Sequence, residues 1–175
     1  ETNSSSSATG TSEATVTNGS TSLEDTDYYG KYEEEDLDAS YESSSAIAIK
    51  LAGSQTEAGE GFTVDDQTVT ITSAGTYMVS GSLTDGQLKI NVDKEAKVHL
   101  IFAGVSITNA NSSAVVIEQA EKVITTLAAD TTNTLTDGTS YTFAEGETEP
   151  DAAFYSKDDL SINGEGKLVI EGNYS

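Results

Sequence analysis

From Ser45 onward the chain alternates apolar and polar residues in short runs rich in Val, Ile and Thr, bounded by Gly, Asn, Asp and Ser. That is the signature of β-strands. The pairs Val69/Ile71, Tyr77/Val79, Leu88/Ile90, Val98/Leu100, Val105/Ile107, Val115/Ile117, Leu160/Ile162 and Leu168/Ile170 each lie two residues apart, so the members of each pair share one strand face. No stretch keeps a helical period, and the one proline, Pro150, falls in a predicted loop. The pattern predicts an all-β chain.

The strands recur in threes. First strands centred on Ile71, Leu100, Thr125 and Ile162 lie 29, 25 and 37 residues apart, and second strands at Val79, Ile107, Leu135 and Ile170 lie 28, 28 and 35 apart. Third strands fall at Ile90, Ile117 and Phe154. Gly75, Gly104 and Gly166 each follow a first strand by four residues, with Ala129 at that place in the remaining repeat. A corner repeated at one register favours Gly. Repeats of this length with three short strands predict a parallel β-helix, a solenoid of three coils and the start of a fourth, stacked about 4.8 Å apart. Residues 45–66 are expected to form its cap or first partial coil. A β-sandwich is the competing fold; the Gly register and the scarcity of two-residue hairpin turns favour the solenoid. The last coil, with Leu168 and Ile170, would leave an open edge. That predicts either a homo-oligomer through this end or a further C-terminal region covering it.

Residues 1–26 contain fourteen Ser or Thr, no aromatic residue and no Lys. Such a segment cannot offset its ordering entropy. It is expected to be disordered, as a spacer between an anchor and a domain or without a role. Residues 27–42 mix four Tyr with a run of acids. They read as a solvated acidic stretch over the first coil in preference to a cation or sugar site. The expected division is a Ser/Thr-rich and acidic linker over residues 1–33 and a β-domain over residues 34–175.

Charge narrows the function. With 30 acidic and 8 basic residues the net charge is −22, which repels nucleic acid and anionic membranes. All eight basic residues are Lys, so no bidentate clamp for phosphate or carboxylate exists, and a polyanionic ligand would need a bridging cation. There is no Cys, and His99 is the only His, which excludes thiolate metal sites and the common zinc arrangements. No apolar stretch reaches membrane-spanning length. The chain opens on Glu1 and is expected to be the processed form of an exported protein, whose precursor carries any N-terminal anchor.

The third repeat is longer than the others between Leu135 and Phe154. It carries the acidic insertion GTSYTFAEGETEP before SKDDL, and insertions of this kind map to loops on the working face. Asp158 and Asp159, with Asp137, Glu145, Glu147, Glu149 and Asp151 earlier in the repeat, offer oxygen donors that suit calcium. The competing reading is a solvated acidic loop, since neither an EF-hand nor a GGxGxD repeat is present. Carboxylate pairs also serve glycoside hydrolysis, but chance pairs abound among 30 acids, and only Lys157 stands near as a base for elimination. Tyr155 beside Lys157 is a candidate sugar platform, in a row with Lys89 and Val116. His99 is expected on the outer surface, in a column with Thr70 and Ser161.

The phrases TVTITSAGTYMVSGSLTDGQLKINV (68–92), AGVSIT (103–108), NTLTDG (133–138), AAFYSKDDLSINGEGKLVIEGNY (152–174) and DLDASYE (36–42) resemble a bacterial family. These are the calcium-dependent, polysaccharide-binding β-helix proteins of plant-fibre-degrading anaerobes, akin to the pectate-lyase superfamily. The resemblance implies a right-handed parallel β-helix on the outer surface of the bacterial cell. It implies binding of plant cell-wall polysaccharides, both cellulose-like and pectic, without cleavage. It also implies calcium at Asp-rich corners, which makes Asp158 and Asp159 of SKDDL the leading ligands, with Asp137 and Asp151 beside them. Members of that family continue past GNY into further coils, so the domain is expected to be C-terminally incomplete. A polysaccharide lyase or hydrolase is the alternative, and a structural adhesin or spacer the third reading.

Overall fold

The structure, a computed structural model, describes residues 32–174. The Ser/Thr-rich segment over residues 1–26, and all but the last two residues of the expected 1–33 linker, lie outside the described residues. A one-turn helix, α1 (Glu34–Leu37), precedes twelve strands. These are β1 (Ile47–Ala52), β2 (Phe62–Asp65), β3 (Thr68–Ile71), β4 (Gly75–Leu83), β5 (Gln87–Asn91) and β6 (Lys97–Thr108), followed by β7 (Val115–Gln119), β8 (Lys122–Leu127), β9 (Thr132–Thr136), β10 (Phe154–Ser156), β11 (Asp159–Gly164) and β12 (Lys167–Glu171). Every predicted alternating pair lies in one of them.

The strands form two sheets. A seven-stranded sheet runs β1-β4-β6-β8-β11, with β9 joined to β6 and β12 to β9, and all its pairs are parallel. A five-stranded sheet runs β10-β7-β5-β3-β2 and is mixed, because β2 and β3 are antiparallel. The expected right-handed parallel β-helix of three coils and the start of a fourth is therefore corrected: the architecture is two sheets, without a closed solenoid column.

The physical reason lies at the glycines taken for corners. Gly104 sits inside the twelve-residue β6. The first half of β6 pairs with β8 as far as Phe102, and its second half pairs with β9 from Ser106. The amides of Gly104 and Val105, between the two partners, both donate to Oδ1 of the buried Asn133, at 3.0 and 2.9 Å. With those donors satisfied the strand passes from one neighbour to the next without leaving the sheet. What the repeats suggested as two faces is thus one sheet. Likewise β4 continues through a register shift between Val79 and Gly81. The expected Gly register dissolves: Gly75 opens β4 opposite Val98, whereas Gly166 lies between β11 and β12.

The neighbour rows shift accordingly. Tyr77, Leu100, Thr125 and Ile162 are successive partners, as are Leu83, Ile107, Leu135 and Ile170, while Ile71 belongs beside Ile90 and Ile117. The inward side chains of both sheets make one core from Ile49 to Leu135. Each fully buried Ile or Leu contributes about 1.5–3 kcal/mol by leaving water. Tyr77 enters that core whole and keeps its hydroxyl satisfied by donating to the carbonyls of Ser73 (2.9 Å) and Gly61 (3.2 Å). Burial ends at the last strands, where Ile162 and Ile170 are 44% and 50% exposed.

The outer face of the seven-stranded sheet is partly covered by the chain's own lead segment. Glu33 and Asp36 close a capping box around α1;. Asn163 Nδ2 donates to the carbonyls of Asp36 and Asp38, and residues 40–45 face Thr76 and His99 across a shallow cleft. His99 is half-buried, not the freely solvated residue expected. Its row is Thr76, Ile124 and Ser161, without Thr70, which belongs to the other sheet. Its Nε2 lies 2.7 Å from Thr126 Oγ1, and burial lowers its pKa against the pull of Asp38.

Candidate functional site

The long connection between β9 and β10 folds back onto the end of the seven-stranded sheet. Gly138 makes this possible, since a Cβ there would sit 2.0 Å from the Ala110 carbonyl oxygen. The Thr142 amide donates to the Asn111 carbonyl at 3.0 Å and fixes the loop beyond the turn. Tyr141, Phe143 and Tyr174 then gather into one cluster. Tyr141 stacks on Tyr174 with ring centroids 4.3 Å apart and planes inclined by 27°. Phe143 lies 5.9 Å from Tyr141 and 6.1 Å from Tyr174, edge-on to the latter. All three are half-buried, so each offers part of a ring to solvent. Such pairs hold their geometry by about 0.5–1.5 kcal/mol beyond area burial.

Asp137 anchors the cluster from below. It is 4% exposed. Its Oδ2 accepts from the Tyr141 hydroxyl at 2.7 Å and its Oδ1 from the Asn173 amide at 2.5 Å. Asn173 Nδ2 donates in turn to the Asp137 carbonyl at 2.9 Å. Burial, then the hydrogen bond to Asp137, push the Tyr141 phenol up, so it stays a proton donor at any physiological pH. Next to the cluster, the Tyr155 hydroxyl donates to Glu149. That bond, aided by burial and the Glu149 and Asp151 charges, pushes Tyr155 up to about 12. The result is a ledge of rings bordered by carboxylates and an amide. An aromatic face with polar groups at its rim is the chemistry that takes the apolar face of a sugar ring while its hydroxyls find partners at the edge.

The six residues singled out from the sequence fall in different places. Asp137 is the buried anchor just described, and Asp151 is exposed on the returning loop. Tyr155 lies in β10 in the expected row with Val116 and Lys89. Lys157 is exposed, with its amide donating to the Ile117 carbonyl. Asp158 Oδ2 accepts from the Ala120 amide at 2.9 Å, closing the turn between β7 and β8. Asp159 opens β11 opposite Lys122. Among the described residues no three carboxylates or imidazoles converge to hold a metal. Both Asp137 oxygens and one Asp158 oxygen accept hydrogen bonds within the protein.

Sequence reasoning chose Tyr155 and passed over Tyr141, Phe143, Asn173 and Tyr174. The alternation Tyr141-Thr142-Phe143 inside a polar insertion was a visible signal, because apolar rings two residues apart share a face even without a sheet to bury them.

A family model described as carbohydrate-binding domain-containing protein matches residues 65–175. A carbohydrate-binding domain-containing protein of Acetivibrio thermocellus is 38% identical over 117 residues, which is 66% of this chain and 41% of that protein. A solved structure, a gadolinium derivative of the polysaccharide lyase-like protein from C. thermocellum, is similar with a TM-score of 0.70 and 34% identity. That match covers 74% of this chain and 54% of the other, so the chain spans about half the length of these relatives or less. The chain belongs to the family of carbohydrate-binding domain-containing proteins.

Proposed function

We propose that the protein is a non-catalytic module that holds plant cell-wall polysaccharide at the outer surface of a bacterial cell, with the Tyr141–Phe143–Tyr174 ledge as its sugar platform. The observation that carries this reading is the stacked aromatic cluster braced by buried Asp137. A partly exposed ring cluster suits a neutral, cellulose-like chain. The same loop carries exposed Glu145, Glu147, Glu149 and Asp151, which repel a pectic polymer unless a cation lies between them. Calcium enters here as a bridging ion, with part of its coordination supplied by uronate groups of the ligand. The exposed Ile162 and Ile170 support association of two copies along β11 and β12, and sedimentation over a concentration series tests that.

Retention on cellulose and on polygalacturonate, with and without chelator, tests the main reading. Binding to cellulose that survives chelation, and binding to polygalacturonate that chelation strongly reduces, is expected. No retention on either polymer sinks the proposal. Because one relative is named polysaccharide lyase-like, the same polymers are assayed for unsaturated and reducing ends; their release in calcium replaces the binding reading with an enzymatic one.

A further inference from the structure

Lys97 and Lys122 are direct partners on β6 and β8, where like charges side by side repel. Lys122 is also only 6% exposed, a costly place for an ammonium without partners. Both conditions are met by the lead segment. The Lys122 ammonium lies 2.7 Å from Glu33, 3.0 Å from Asp36 and 3.3 Å from Glu35, and Lys97 lies 2.7 Å from Glu35. Ser161 on β11 donates to Asp36 Oδ1 at 2.6 Å. Asn163 donates to the carbonyls of Asp36 and Asp38 at 3.1 and 3.0 Å.

The two sides of this contact differ in kind. Lys97, Lys122, Ser161 and Asn163 stand on three neighbouring strands of one sheet, a rigid array of two ammoniums, a hydroxyl and an amide. The occupant is a single helical turn, too short to persist by itself. Its large apolar side chains do not anchor it, for Tyr32 is 64% and Leu37 73% exposed. It is held by polar contacts, which another chain of carboxylates and hydroxyls can make equally well.

We propose that this strand face is a binding site for carboxylated glycans, and that residues 33–38 are its internal, displaceable occupant. Successive carboxylates on a short extended polymer match what Glu33, Glu35 and Asp36 present to the two lysines. Lysine suits this use, as a point charge that accepts a carboxylate from several directions. A polyanion at high local concentration competes by mass action, and release of the segment opens the face. The ligand class rests on the carbohydrate-binding reading above, but the surface is separate from the aromatic ledge, so the two readings fail separately.

The test uses the whole chain and polygalacturonate in chelator at low salt. Glu33→Gln/Glu35→Gln weakens the internal occupant and is expected to raise retention about fivefold or more. Glu57→Gln/Glu60→Gln, two exposed acids elsewhere, makes the same charge change and is expected to leave retention near wild type. Adding Lys97→Gln to the first variant is expected to abolish the gain. Cellulose retention, which reads the aromatic ledge, is expected to stay constant throughout. Equal retention by the two double variants overturns the proposal, as does a gain that survives Lys97→Gln. Hydrogen exchange on the wild-type protein gives a readout free of substitutions: polygalacturonate is expected to speed exchange at the amides of Asp36 and Asp38, and unchanged or slower exchange there overturns the proposal.

Discussion

Tyr141 and Tyr174 stack at 4.3 Å although the whole of β10, β11 and β12 separates them along the chain. Their contact depends on Asp137, which takes the Tyr141 hydroxyl on one oxygen and the Asn173 amide on the other. Position and support can therefore be varied separately. Tyr174→Ala removes a ring and is expected to weaken cellulose retention roughly tenfold, a loss of about 1.4 kcal/mol. Tyr141→Phe keeps the ring and is expected to retain most of the binding while lowering the melting temperature, because Asp137 loses a buried donor. Affinity electrophoresis in soluble glucan, paired with thermal melts, separates the two effects. Equal retention by Tyr174→Ala and wild type removes the ledge from the function.

The strands were legible from residues two apart, and so was the row Lys89–Val116–Tyr155. Which strands lie side by side was not. A Gly such as Gly104 reports a backbone freed from the usual φ limits, φ being +85° there, but not whether pairing continues through it. That depends on Asn133, a polar residue two places before Leu135 that no local pattern marks out. The aromatic ledge was hidden for the same reason, since Tyr174 reaches Tyr141 only through the sheet. The acidic lead segment was read as a solvated face. The pairing of Lys97 with Lys122, which gives its carboxylates partners, exists only once β6 and β8 are neighbours.

Asn133 is the side chain that lets β6 serve two partners. Besides accepting from Gly104 and Val105, it donates to Lys167 O at 3.2 Å and Thr131 Oγ1 at 3.1 Å. Asn133→Ala leaves two backbone donors unsatisfied and is expected to cost about 2–4 kcal/mol in urea unfolding. Asn133→Asp preserves the acceptor and loses the two donations, so its cost is expected to be smaller. Equal losses for the two variants would remove the Gly104–Val105 contact as the main contribution.

Gly81 and Gly104 both have positive φ, +91° and +85°, but their surroundings differ. A Cβ at Gly81 would lie 2.2 Å from the Leu51 carbonyl oxygen, whereas Gly104 has open space around it. Gly104→Ala carries the backbone strain alone, about 1–2 kcal/mol. Gly81→Ala adds a clash against the β1 backbone and is expected to cost clearly more. The reverse order of midpoints in denaturant would mean that the bulge in β4 opens without resistance.

The lead segment should respond to pH at both extremes. Asp36 is held down to about 2, first by the Ser161 hydroxyl, then by the Glu33 amide and Lys122, against the effect of its burial. Glu35 is lowered too, chiefly by Lys97. A carboxylate depressed in the folded state stabilises it fully above its ordinary value near 3.8, and that stability is lost as pH falls toward about 2. Lys122 is shifted the opposite way, raised chiefly by Glu33. Its contribution is complete below the ordinary lysine value of 10.5 and disappears as pH rises beyond it. Docking of residues 33–38 is therefore expected to be strongest between these limits and to loosen below pH 4, measured as proteolytic cleavage after Glu33–Glu35 by an acid-active protease. Ser161→Ala removes the largest cause of the Asp36 depression, so its loosening is expected at higher pH than in wild type. If the cleavage profiles of the two proteins coincide from pH 5 to pH 2, Asp36 does not control the docking of the segment.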